Sequence, residues 1–270
     1  MRGAHCLNMF QMECQNRYVL ETIRSMDTFM TQTTNTFHLS AHRILFAAVL
    51  FFQVALSEEP WKKGELLHEE AFDHGTLENW VCEVEKPDLS VVEVRENKLM
   101  VDVGGGATIW FKHQLEGNLL IEYDVTVLQK GGSNDRVSDL NQFWMATDPD
   151  RLDLFTRSGK FSEYHPLRLY YVGMGGNNNS TTRFRRYPGG GERPLLEEHT
   201  DHPYLLKANA TYHIEIVCFD GLTLFKVNGK VYHRFQDPQP LTKGYFGFRT
   251  VRNHEAIDHF KVYRLVGIDP

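Results

Sequence analysis

Across residues 66–265 apolar and polar residues alternate with a period of two almost everywhere. That is the repeat of a strand whose successive side chains point to opposite faces. Runs rich in Val, Ile, Tyr and Phe fall at 91–96, 98–103, 107–112, 119–128, 141–147, 167–173, 181–187, 211–219, 222–227, 230–235, 244–250 and 257–265, each bounded by turn residues. Between two of them Asn228-Gly229 supplies the pair that a type I′ hairpin needs, because both central residues take positive φ. No amphipathic helical stretch of ordinary length interrupts the series. Many short strands without helices predict an all-β fold, an antiparallel two-sheet β-sandwich or barrel.

Such sandwiches commonly exceed 200 residues as one unit, so a chain of 270 residues is read as an N-terminal extension with a secretory signal over 1–57 and a single β-sandwich domain over 58–270. After His42 and Arg43, residues 44–55 (ILFAAVLFFQVA) are apolar for about a dozen positions. This is too short for the roughly 20 residues that span a bilayer and fits the h-region of a signal peptide. Ala55-Leu56-Ser57 is a small-x-small cleavage site, and Glu58-Glu59-Pro60 opens a polar mature end. The expected product is secreted or periplasmic, with no membrane partner after cleavage. Residues 1–40 are long and irregular for an n-region, which leaves Met26 and Met30 as alternative starts.

With 29 Lys+Arg against 35 Asp+Glu the net charge is -6, which opposes the phosphate attraction behind most nucleic-acid affinity. Of four cysteines, only Cys82 and Cys218 follow the signal. Both lie in strand-like segments; export permits a disulfide, and two free buried thiols fit as well. No CxxC pair or zinc-spaced Cys/His cluster occurs, and no cofactor is implied. Asp148, Asp150 and Asp153 read as a solvated loop that would also admit a structural calcium ion.

Glu70-Ala71-Phe72-Asp73 with Leu77-Glu78-Asn79-Trp80, and the closing Asp220-Gly221, Val227-Asn228-Gly229-Lys230 and Gly244-Tyr245-Phe246-Gly247-Phe248-Arg249, resemble secreted concanavalin A-like jelly-roll domains. The middle segments, Asn141-Gln142-Phe143-Trp144-Met145-Ala146-Thr147-Asp148-Pro149, Tyr170 to Asn179 and Thr182 to Tyr187, resemble a largely uncharacterised group of exported bacterial domains of this type, associated with polysaccharide degradation. The resemblance implies an oligo- or polysaccharide partner without specifying a reaction.

Alternation places Arg183, Arg185 and Tyr187 on one face of their strand, with Thr182, Phe184 and Arg186 on the other. Guanidinium forks suit planar carboxylate or sulfate groups, and aromatic rings stack on pyranose faces. Asn141, Gln142, Trp144, Asn177, Asn178, Arg183, Arg185 and Arg249 are therefore the candidate substrate-binding residues. Trp144, Tyr170, Arg183 and Arg185 are expected to line one concave face. Against this, the arginines could be solvated edge-strand charges, Trp144 could be core, and the Gly175 to Asn179 turn could be purely conformational.

The acidic trio that glucanases of this fold carry on one strand is missing. A lyase would need a group to neutralise a uronate carboxylate and a Tyr or His to take the C5 proton; Tyr170, His165 and Tyr187 are the candidate catalytic residues. Four readings stay open: an enzyme on an acidic polysaccharide, most plausibly a lyase; a non-catalytic lectin-like glycan-binding module; a keto-disaccharide hydrolase or lyase-type domain; and a structural interaction sandwich.

Overall fold

Alternating segments become strands because each buries one face, and the computed structural model, which describes residues 59–268, contains fourteen of them among those residues. They are β1 (Trp61–Glu70), β2 (Trp80–Val84), β3 (Ser90–Arg95), β4 (Lys98–Phe111), β5 (Leu115–Glu116), β6 (Leu119–Val127), β7 (Leu140–Thr147), β8 (Arg168–Gly175), β9 (Thr181–Pro188), β10 (Leu195–His199), β11 (Thr211–Phe219), β12 (Leu222–Val227), β13 (Lys230–Gln236) and β14 (Lys243–Gly267). The expected export segment 44–55 and the cleavage point after Ser57 lie outside the described residues. Among the described residues no helix is long and apolar enough to cross a membrane.

All pairings are antiparallel. The front sheet runs β10-β9-β8-β7-β14-β4-β2 and the back sheet β13-β12-β11-β6-β14, with β1 and β3 added at the back. Two strands belong to both sheets. The first half of β14 pairs with β7 and its second half with β6, and β4 follows it through the same bend. The sequence reading split each of these strands in two; the structure joins them through Gly104-Gly105-Gly106 in β4 and through the register shift between Val251 and Asn253, where Arg252 takes φ 45°. Gly106 is required at that bend, since a Cβ there would lie 2.2 Å from the Gly159 carbonyl oxygen. The Asn228-Gly229 turn joins β12 to β13 with φ of 50° and 75°, as the sequence predicts. The ten-residue β1 and the short strands β2, β5 and β10 lie outside the strand runs read from the sequence, although β2 covers the strand-like segment around Cys82.

The main core fills the space between the sheets, with Val101, Ile121, Trp144, Phe184, Ile216, Phe225 and Phe248 among its members. A second core lies on the opposite face of the front sheet, where Leu154 and Tyr164 cover Trp110, Phe143 and Tyr187. Strand β7 is consequently buried on both faces. Cys82 and Cys218 are both free thiols, the first exposed and the second buried.

Candidate functional site

Register turns the front sheet into ordered rows. On the face away from the main core one row reads Glu198, Arg183, Gly173, Asn141, Arg249, Thr108 and Glu83, one residue from each strand from β10 to β2. The next row reads Arg185, Tyr171, Phe143, Gly247, Trp110 and Val81. Gly173 lets the Tyr171 ring cross it, since a Cβ there would lie 2.3 Å from the Tyr171 hydroxyl. A groove of about 280 Å³ opens at the β9 end of these rows. Tyr171 and Gly173 form its floor, and Arg183, Arg185, Arg193, Tyr187, Phe161, Asp139, Asn177 and Thr181 its walls.

Three guanidinium groups converge there. Arg183 is ion-paired with Glu198. Arg185 donates Nη1 to the Arg193 carbonyl oxygen at 2.5 Å, and Arg193 donates Nη1 to His165 Nε2 at 3.1 Å. Among the described residues neither Arg185 nor Arg193 has a carboxylate partner. Arg193 is held here by the turn after β9, where Gly189, Gly190 and Gly191 all take positive φ, a path glycine follows without strain. Burial lowers the His165 pKa, and the charges of Arg193 and Arg249 lower it further, so the imidazole is neutral and its lone pair accepts from Arg193. The Tyr187 side chain is fully buried and its hydroxyl has no partner. Burial pushes that phenol up, and the charges of Arg193 and Arg185 oppose the shift.

Further along the row from Gly173 lie Asn141 and Arg249. Arg249 is 1% exposed, donates Nη1 to Gly159 O at 2.6 Å and to Thr108 Oγ1 at 3.1 Å, and stands over the rings of Tyr164 and Phe161. Its Nε and Nη2 and the Asn141 Oδ1 have no partner. Buried polar atoms without partners are rare, and here they cluster in the row that leads away from the groove.

The expected face is thereby corrected. His165, Tyr187, Arg183, Arg185 and Asn177 gather at or against the groove, with Asn141 and Arg249 further along the same row. Trp144 and Tyr170 do not join them. They lie opposite each other in register, and Tyr170 lies opposite Arg186, which puts all three on the inner side of the sheet. Trp144 stacks on Phe184 at 5.7 Å in the main core. The Tyr170 hydroxyl donates to Asp237 Oδ2 at 2.5 Å, the oxygen that also accepts from Arg186 Nε at 2.6 Å. Gln142 is likewise internal, accepting from Tyr123 and donating to Val172 O. Asn178 is exposed and accepts from Arg136, and Asn177, Asn178 and Asn179 all take left-handed φ.

Several carboxylates on this side of the sheet are already engaged. Asp148 pairs with Arg157, Asp139 with Arg136, and Glu83 accepts from Trp110, Tyr164 and Arg157. Asp148 also accepts from the Asp150 amide and Asp153 from the Phe155 amide, so these two aspartates are spent in part on their own loop. A wider depression of about 510 Å³ over this loop is lined by Arg157 and Asp148, which satisfy each other. Sequence reasoning missed Arg193, Tyr171 and Phe161. Arg193 sits in a glycine-proline stretch with no periodicity to assign its direction, and Tyr171 was passed over for its neighbour Tyr170.

A family model described as a domain of unknown function (DUF6250) matches residues 101–260. No curated protein matches the chain in sequence. Among solved structures, a Bacillus subtilis protein of unknown function with a galectin-like fold is 17% identical, with a TM-score of 0.62 over 77% of this chain and 100% of that one. An endo-β-1,3-glucanase from Pyrococcus furiosus is 9% identical, with a TM-score of 0.55 over 77% and 96%. The exoplasmic/lumenal domain of VIP36, in its Ca2+/Man3GlcNAc-bound form, is 12% identical, with a TM-score of 0.52 over 77% and 93%. These likenesses establish the jelly-roll type of sandwich.

Proposed function

We propose that this chain, which belongs to the DUF6250 family, is an exported glycan-binding protein that holds an acidic oligo- or polysaccharide in the groove beside β9. The observation that carries the reading is the convergence of Arg185 and Arg193, two guanidinium groups without carboxylate partners, above a tyrosine floor. A uronate carboxylate or a sulfate supplies the missing anion in bidentate geometry. Tyr171 offers a ring edge and hydroxyl to the sugar, and Asn177 an amide. Solved neighbours on the same fold include a glucanase and a domain bound to Man3GlcNAc, which supports a carbohydrate ligand. Export rests on the apolar run at 44–55 and the small-x-small site after it.

Binding without cleavage is favoured over a lyase reaction by the state of the acid-base groups. A general base works best with a pKa near the operating pH, whereas the Tyr187 phenol is buried and pushed up. The His165 lone pair is occupied by Arg193.

Replacing Arg185 or Arg193 by Ala is expected to weaken binding of uronate- or sulfate-bearing oligosaccharides about tenfold to a hundredfold, the loss of one charged hydrogen-bond set of roughly 1.5–3 kcal/mol. Lys at either position restores part of the affinity because it keeps the charge and loses the fork. Rising salt weakens the wild-type complex. Titration of acidic and neutral oligosaccharides against the wild type and the four variants checks this. Equal affinity for neutral glycans, or no loss in either variant, would overturn it, and ultraviolet absorbance of an unsaturated uronate product would replace binding with lyase activity.

A further inference from the structure

Where the two sheets meet at their outermost strands, β10 in front and β13 behind, three ligand-type side chains face one another. Alternation puts Glu197 and His199 on the same face of β10, the face shared with Phe184. His233 comes from β13, opposite Phe225. The two imidazoles stack on each other with centroids 4.9 Å apart, and the Glu197 carboxylate bridges them, with Oε2 at 3.1 Å from His233 Nδ1 and Oε1 at 3.3 Å from His199 Nε2. One ligand atom from each residue lies within 4.8 Å of the other two.

We propose that Glu197, His199 and His233 form a binding site for one divalent transition-metal ion of the zinc class, which clasps the two sheets together along their open edge. Tetrahedral zinc with bonds of about 2.0–2.1 Å sets its ligand atoms roughly 3.3 Å apart, close to the two separations above. The set of two imidazoles and one carboxylate suits zinc and its neighbours rather than calcium or magnesium, which prefer oxygen.

The setting of His233 supports the assignment. Its side chain is fully buried between the rings of Phe184 and Phe225, with Nε2 lacking any partner. An imidazole placed among aromatic rings with one polar outlet, towards Glu197, is positioned for what that outlet meets. His199 is held flat against Tyr204 at 3.9 Å, and its Nε2 also lies 2.6 Å from the Tyr232 carbonyl oxygen. When the metal binds, the His199 proton resides on Nδ1 and the Nε2 lone pair turns to the ion. Glu197 and His199 remain 39% and 20% exposed, which leaves an entry path and room for a water as fourth ligand.

The site is independent of the glycan reading, yet it adjoins the groove: Glu198, the next residue on β10, holds Arg183. A second group of ligand-type residues, Glu122, His213 and Glu215, is less favourable, because Glu122 is already paired with Lys63 and His213 with Asp124.

The test is thermal unfolding of untagged, chelator-treated protein titrated with Zn2+, and with Ca2+ as a control. At a hundredfold excess over Kd, one bound Zn2+ is expected to raise Tm by about 5–10 °C for a domain of this size, with Ca2+ giving no shift. Co2+ substitution is expected to give the visible absorption of a four-coordinate site. Glu197→Gln and His199→Asn, both at partly exposed positions where the fold is retained, are expected to lose most of the shift and the Co2+ spectrum. Absence of a Zn2+-dependent shift in the wild type would overturn the proposal. So would a shift of equal size in both variants, or one abolished by His213→Asn instead, which would put the ion at the second group.

Discussion

Asp237→Ala is expected to lower stability by about 3–5 kcal/mol, read as a fall in the urea midpoint at unchanged slope. The Asp237 side chain is 3% exposed, and one of its oxygens serves both the Tyr170 hydroxyl and the Arg186 guanidinium while the other accepts from the Gln239 amide. Removing the carboxylate strands a buried hydroxyl and a largely buried cation together, and each uncompensated group costs its desolvation. Tyr170→Phe leaves the Asp237–Arg186 pair intact and is expected to cost only about 1 kcal/mol. Because Tyr170 faces the main core, that variant is expected to bind acidic glycan as the wild type does. A loss below about 1 kcal/mol in Asp237→Ala would mean that water replaces the carboxylate.

Glu255→Gln is expected to stabilise the protein in alkali by on the order of 4 kcal/mol. Burial pushes the Glu255 carboxyl up to about 8; the Asp139 charge adds to this, and hydrogen bonds from Thr250 and Asn253 oppose it. In the unfolded chain the same group ionises near its ordinary value of 4.5. The folded state therefore prefers the protonated form. Its contribution is fully present below about pH 4.5 and is lost as pH rises through about 8, where the unfolded state gains ionisation that the fold resists. Gln mimics the protonated side chain at every pH. The gap between the variant and wild type is thus expected to open between pH 5 and 8 and then level off. Parallel stability-pH curves for the two proteins would sink this account.

Ten of the fourteen strands, and the facing of residues within them, were legible in the sequence, because a period of two assigns faces without knowledge of neighbours. Arg183, Arg185 and Tyr187 do share one face of β9, and Phe184 and Arg186 the other. Relations between strands were not legible. A shift of one residue in register exchanges the faces of a whole strand, and the true pairing of Tyr170 with Arg186 sends Tyr170 and Trp144 inward. Alternation also fails where both faces are buried: Phe143 and Trp144 are adjacent and both fully enclosed, so neither reads as polar-side. The cause is the loop carrying Leu154, Phe161 and Tyr164, whose folding over the front sheet is a tertiary event with no periodic signature. Arg193 was invisible for a related reason, since a residue after three glycines in left-handed conformation has no strand to assign its direction.

The continuity of β14 through both sheets governs when the molecule can form at all. It is the last described strand in sequence, and β1, β5, β6, β7 and β4 all pair with it. A nascent chain that has not yet delivered Lys243–Gly267 has β8 and β9 but no partner on the other side of β7, has β11 and β12 but none on the other side of β6, and has nothing for β1. Local hairpins can appear early, but closing the layers joins residues far apart in the chain, which slows folding and keeps apolar surface uncovered. Folding of the layers therefore waits until Lys243–Gly267 has been synthesised. Under the export proposed above, that delay keeps the polypeptide slack while it is threaded through a translocation channel.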